Sequence, residues 1–192
     1  MRLIKFLPLI IIVLLCIFFF FSLNNDTTKL SSPLVGKDVP KFSVDRLFNS
    51  GKMTNEDLIS ARPVILNIWS SWCIPCRAEH DVLMVLSELY DVDIYGLNYK
   101  DNETEAKNFI EGLGNPFEKI GVDTSGRAAI NLGVYGVPET FIIQNGIIIY
   151  KHIGPIHMNE LDEKILPLIK DCLLYTSPSP RDRTRSRMPS SA

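Results

Sequence analysis

"SSWCIPCRAEH", Ser70–His80, sets two cysteines with two residues between them directly after an apolar run and directly before a helical pattern. Upstream, "PVILNIW" (Pro63–Trp69) has the length and β-rich composition of a buried strand, and downstream "DIYGLNY" (Asp93–Tyr99) reads as another. Between them, Ala78–Tyr90 places Val82, Leu83, Val85, Leu86 and Leu89 at helical spacing. Strand, helix and strand make a βαβ unit, so the Cys-x-x-Cys lies where a strand ends and a helix begins. The predicted class is α/β.

The rest of the pattern agrees. A helix is predicted over Glu103–Gly112, a short strand around Ile120 and Val122, and a short helix over Ala128–Leu132. "ETFIIQNGIIIYKHIG", Glu139–Gly154, reads as two strands joined at Asn145-Gly146, a strong hairpin signal. Asn159 is the expected N-cap of a last helix whose apolar face is Leu161, Ile165, Leu168 and Ile169, with Pro167 disturbing its final turn.

Both ends differ from this middle. Arg2 and Lys5 precede "FLPLIIIVLLCIFFFFSL", Phe6–Leu23, which as a helix spans roughly 27 Å, close to the hydrocarbon thickness of a bilayer. A cleaved signal peptide needs small residues before the cut, and no alanine precedes Ala61, so residues 1–23 are expected to be a cytoplasmic N-terminus and membrane anchor. Leu14 and Leu15 are too bulky for a lipobox at Cys16. The basic start directs the remainder to the far side of the membrane. Residues 24–37 are polar and read as a tether, leaving 38–171 as the folded domain. The end, 172–192, is basic and without hydrophobic period, and reads as a disordered tail. Its "CLLYTSPSPRD" resembles the translation of a sequencing-library adapter, so the natural chain is expected to leave off near Asp171. The net charge of −2 carries no sign of nucleic-acid binding, and without the four arginines of the tail the body is more acidic still.

A Cys-x-x-Cys can serve several chemistries. Covalent haem attachment needs histidine after the second cysteine, where Arg77 stands. Zinc needs further ligands, but the other cysteines are Cys16 and Cys172 and the histidines lack ligand spacing. A structural crosslink closing so short a loop removes little entropy from the unfolded chain. The redox reading uses every neighbour. Cys73 at a helix N-terminus has its thiolate stabilised and is the candidate nucleophile, and Cys76, one turn deeper, is the candidate resolving thiol. Pro75 stiffens the turn, and Trp72 either shields the sulfurs as a flat contact surface or packs in the core. His80 shares the helical face of the cysteines but has no second partner in the sequence, which favours a packed or surface role.

"NIWSSWCIPCRAEH", "GLNYKD", "LGNPF" and "LGVYGVPETFII" together resemble the CcmG/DsbE family, the membrane-tethered thioredoxins of bacterial cytochrome c maturation, from about Leu34 to Asp171. The resemblance implies a thioredoxin-like fold, a central mixed sheet flanked by helices with an N-terminal transmembrane helix. It implies a cis Val137-Pro138 bond against the disulfide, with Trp72, Val137 and Pro138 receiving an extended client peptide. Asn67 occupies the position where ordinary thioredoxins carry a buried proton-transferring aspartate. Glu79 is its expected substitute and Glu139 a second acidic influence, both opposing thiolate formation and so favouring electron donation.

The implied function is a reductant of cytochrome c maturation facing the periplasm. Its client is apocytochrome c or a maturation partner, and a membrane thiol transporter of the DsbD or CcdA type supplies its electrons. No metal or organic cofactor is expected. The alternatives are a general extracytoplasmic reductase or oxidant of the TlpA or ResA type, and a tethered binding module with idle cysteines. A peroxidase is disfavoured, because the peroxiredoxin Pro-x-x-x-Thr-x-x-Cys arrangement is absent.

Overall fold

The structure, a computed structural model, describes residues 7–23, 34–90 and 92–170. The chain divides into two units, Met1–Ser31 and Ser32–Ala192. In the first, α1 (Leu7–Leu23) is a helix of 17 residues, roughly 26 Å long. Its side chains from Ile11 to Phe20 are apolar and exposed on all sides. Among the described residues no helix is long and apolar enough to cross a membrane. The expected tether over 24–33 and the expected tail over 172–192 lie outside the described residues.

In the second unit a seven-stranded mixed sheet carries the fold. Its strands are β1 (Ser43–Arg46), β2 (Lys52–Thr54), β3 (Val64–Trp69), β4 (Ile94–Tyr99), β5 (Lys119–Asp123), β6 (Glu139–Gln144) and β7 (Ile147–Ile153), in the order β2-β1-β5-β4-β3-β6-β7. Strands β3, β4 and β5 are parallel, and β6 runs antiparallel to β3. The helices are α2 (Ile74–Leu89), α3 (Glu103–Leu113), α4 (Arg127–Asn131) and α5 (Met158–Glu160). Residues 34–37, assigned from sequence to the tether, belong to this unit: Gly36 N–H donates to Ile148 O at 2.7 Å and Lys37 O accepts from Ile148 N–H at 3.0 Å.

Strand β3 is buried at all six positions, so its alternation decides what reaches each face. Ile65 and Trp69 join Val82, Leu83 and Phe109 on the face covered by α2 and α3, together with Cys73 and Cys76. Val64, Leu66 and Ile68 join Phe141, Ala129 and Leu132 on the other. Asn67, of the same parity as Ile65 and Trp69, therefore points toward α2, which matters below.

The Asn145-Gly146 turn forms as expected, with both residues at positive φ (52° and 76°), the requirement of a tight hairpin turn that matches strand twist. The β1–β2 hairpin was not expected. Neither strand is longer than four residues, and β1 alternates between exposed and half-buried positions without an apolar run. The last helix also differs from expectation. It is preceded by His157, whose N–H donates to Glu160 Oε2 at 3.4 Å, so Asn159 is not the cap. Leu161–Ile165 then widens into a π-helical turn. Pro167 explains this, since it has no N–H for the Glu163 carbonyl and its ring presses on that carbonyl.

Gly96, in β4, is required by close approach. A Cβ there would come within 2.9 Å of Trp69 Nε1 and 3.1 Å of the Phe117 ring. The Trp69 ring cannot retreat easily, being stacked on Phe117 (5.7 Å, 10°) and in contact with Phe109 (5.0 Å). Gly96→Ala is expected to destabilise the domain by about 1–3 kcal/mol, the usual range for overpacking. Urea unfolding measures it, and an unchanged midpoint would refute this account of the glycine.

Candidate active site

The loop before the cysteines is held from the side. Ser70 Oγ donates to Tyr99 O at 2.6 Å. Asp101 accepts from Ser71 N–H and Ser71 Oγ (2.5 and 2.7 Å), from Asn98 Nδ2 (2.8 Å) and from Asn102 N–H (2.8 Å). The β3–α2 connection is thus tied to the β4–α3 connection, and the tie was not legible from residue type alone. Trp72 Nε1 donates to Lys100 O at 3.2 Å while the residue remains 58% exposed. Of its two expected roles, core packing is overturned: the indole offers a face to solvent beside the cysteines.

Cys73 is the N-cap of α2, and its sulfur accepts from Cys76 N–H at 3.1 Å. The helix starts at Ile74, four residues before the sequence pattern suggested, because Cys-Arg-Ala extends no apolar stripe. Pro75 fits the first turn, where an N–H would have no intrahelical partner. Cys73 and Cys76 form a disulfide. On reduction, the Cys76 N–H and the N-terminal end of the helix dipole are in place to favour a thiolate on Cys73. No acidic residue lies in the first turn to oppose them.

Glu79, three residues past Cys76 and on the same buried face, is 1% exposed. Oε1 accepts from Asn67 Nδ2 at 2.8 Å, and Oε2 accepts from Ile156 N–H at 2.9 Å. Asn67 Nδ2 also donates to Thr140 Oγ1 at 3.0 Å. Burial pushes the Glu79 pKa up to about 7, against the two hydrogen bonds, which favour the charged form. Glu79 is therefore a carboxyl of the interior, not a solvated surface charge. His80 is buried, its Nε2 bonding Gly114 O at 3.0 Å and its ring edge-on to Phe109, and burial pushes its pKa down. It takes the packed role.

The Val137-Pro138 bond is cis, as the resemblance implied, and Val137 packs against the core cluster that contains both cysteines. Glu139 is fully buried but is not beside Glu79. It pairs in register with Ile68, of the face opposite α2, and its carboxylate accepts from Tyr135 N–H (2.8 Å) and Gly136 N–H (3.3 Å) and pairs with Lys151 Nζ (2.9 Å). The expectation that Glu139 acts on the thiols is corrected accordingly: the chain neighbour of Pro138 points away from them, because successive strand residues face opposite ways. Lys151, Asp101 and Thr140 were missed by sequence reading. Strand parity with Phe141 was the available signal for Lys151.

The groups gathered here on the α2 face favour one sulfur as an anion and put a carboxyl that titrates near neutrality one turn from the other. That is the equipment of a thioredoxin-like thiol:disulfide oxidoreductase. The Redoxin family matches residues 34–165. The thiol:disulfide interchange protein DsbE of Vibrio cholerae is 41% identical over 153 residues, covering 79% of this chain and 83% of its own length. That of Escherichia coli K12 is 43% identical over 146 residues, covering 75% and 78%. The thioredoxin domain of a thiol-disulfide oxidoreductase from Bacteroides vulgatus superposes with a TM-score of 0.61 at 16% identity over 72% of this chain and 99% of that one, a likeness of fold. The chain belongs to the DsbE thiol:disulfide interchange proteins and is a disulfide oxidoreductase.

Proposed function

We propose that the protein is a reductant in cytochrome c maturation, acting outside the cytoplasm on the haem-site disulfide of apocytochrome c or of a maturation partner. The Cys73 thiolate attacks one client sulfur, the client S–S bond breaks, and the leaving thiolate takes a proton from solvent. Cys76 then gives its proton to the Glu79 carboxylate and attacks Cys73 of the mixed disulfide. The second client thiolate leaves and is protonated, and Cys73–Cys76 is bridged. Two electrons pass to the client, and no metal or organic cofactor takes part. A membrane thiol transporter of the DsbD or CcdA type returns the electrons.

The observation that carries the direction of flow is Glu79, a buried carboxyl one turn from Cys76. Negative charge there destabilises thiolates and makes the dithiol a better donor. Trp72, Val137 and Pro138 receive the client as an extended peptide. Residues 1–23 anchor the chain by a single pass in the bacterial inner membrane, N-terminus in the cytoplasm. The support is the uncharged Leu7–Leu23 helix, apolar but for Ser22, behind Arg2 and Lys5. The test is capture by the Cys76→Ser protein in cells, with the mixed disulfides identified. Apocytochromes c or maturation proteins are the expected partners. A broad set of unrelated secreted proteins would overturn the specific role in favour of a general reductase.

A further inference from the structure

Lys151, in β7, is a cation whose side chain is only 2% exposed, and its ammonium reaches from its own sheet into the loop before Pro138. Its Nζ donates to Gly133 O at 2.6 Å, pairs with Glu139 Oε2 at 2.9 Å and lies 4.5 Å from the Tyr135 ring centroid. Glu139 reaches the same loop from its other oxygen, through the N–H groups of Tyr135 and Gly136. The loop needs such a hold. Val134 and Val137 pack on the core at its two ends, but between them Tyr135 is well exposed and Gly136 has no side chain, and Gly133 before them sits at φ 64°, so the tip at 135–136 has no apolar anchor of its own. A buried ion pair is a poor source of net stability, since desolvation offsets most of the attraction; its directional bonds are what it adds.

We propose that Lys151 is a positioning residue for disulfide exchange: with Glu139 it clamps residues 133–138 so that Val137-Pro138 meets the client in one fixed shape. The proposal rests on the reading that this loop receives the client. It separates Glu139 from the thiol chemistry and gives it a docking task on the far side of the sheet. It also separates two kinds of substrate. A bridged peptide must lie along the loop, whereas a small disulfide needs only the sulfur of Cys73.

The full chain, reduced, is assayed with a synthetic peptide holding an internal Cys-x-x-Cys disulfide and with hydroxyethyl disulfide. For Lys151→Met, kcat/KM with the peptide is expected to fall by about tenfold to a hundredfold, chiefly through KM, as for a misplaced binding element. The rate with hydroxyethyl disulfide and the reduction potential of the pair stay at their original values, and Lys151→Arg restores the peptide rate. If Lys151→Met does not fold, Lys151→Met with Glu139→Gln removes the unpaired charge, and its peptide rate decides in the same way. Equal loss with both disulfides, or no loss with the peptide, overturns the proposal. Val137→Asp serves as the control on the docking reading itself. If it leaves peptide kinetics unchanged, the loop does not receive the client. If it slows the peptide while Lys151→Met does not, only the clamp is refuted.

Discussion

Cys73→Ser is expected to reduce disulfide exchange by at least about a thousandfold, with no mixed disulfide formed through the remaining thiol, because a hydroxyl cannot replace a thiolate as nucleophile at neutral pH. Cys76→Ser is expected to behave differently: the first attack survives, and the covalent adduct accumulates because nothing resolves it. The asymmetry comes from one turn of helix. The Cys73 sulfur sits at the cap and already accepts the Cys76 N–H, whereas Cys76 lies inside the helix, one turn before Glu79 on its buried face. Alkylation of the reduced protein across pH provides the second measurement. Cys73 should react as a thiol with a pKa below the free value of about 8.5 and Cys76 as one above it. Adducts forming through Cys76 in the Cys73→Ser protein, or a Cys76 that alkylates first, would reverse the assignment.

The difference between what was legible and what was not follows from period and length. Strands β3, β6 and β7 announce themselves as runs rich in β-branched residues and β4 as a short apolar and aromatic run, and a hairpin at Asn145-Gly146 follows from backbone chemistry alone. The β1–β2 hairpin has too few apolar residues to generate a period, and its pairing with β5 is a tertiary choice that local sequence does not encode. In the site, Cys73 and Cys76 are legible from spacing, whereas the state of Glu79 is not. Nothing in "CRAEH" tells a buried carboxyl from a solvated one. Its burial depends on Ile156, 77 positions away, closing over it. Glu139 shows the opposite lesson. Adjacency to Pro138 suggested proximity to the sulfurs, but pairing with Ile68 assigns its side chain to the other face. Alternation along β6 already contains that information, since Glu139 shares parity with Phe141 and Thr140 with Ile142.

Glu79→Gln is expected to have two separable effects. The first is on stability. With a folded pKa of about 7 against an ordinary value of 4.5, the native state holds a proton that the unfolded chain has released anywhere between those values. Stability therefore falls as pH rises through this window, by about 3 kcal/mol in all, and levels off above it. Glutamine has no proton to lose, so the variant should lack this contribution, and the difference in unfolding free energy between the two proteins should carry the gradient while the slope that buried His80 adds stays common to both. The second effect is on the resolving step. In the original protein the release of client from the mixed disulfide should accelerate with pH about a midpoint near 7, as the carboxylate becomes available to take the Cys76 proton. In the variant the midpoint should move into the range of an unassisted buried thiol, and the rate at neutral pH should drop by about a hundredfold, the usual contribution of a positioned base. The first attack by Cys73 should be nearly unaffected. Stopped-flow release from a preformed mixed disulfide, recorded from pH 5 to pH 9, separates the two steps. A variant that loses the stability gradient but keeps the original release profile would leave Glu79 as a buried acid of the fold with no part in moving the proton.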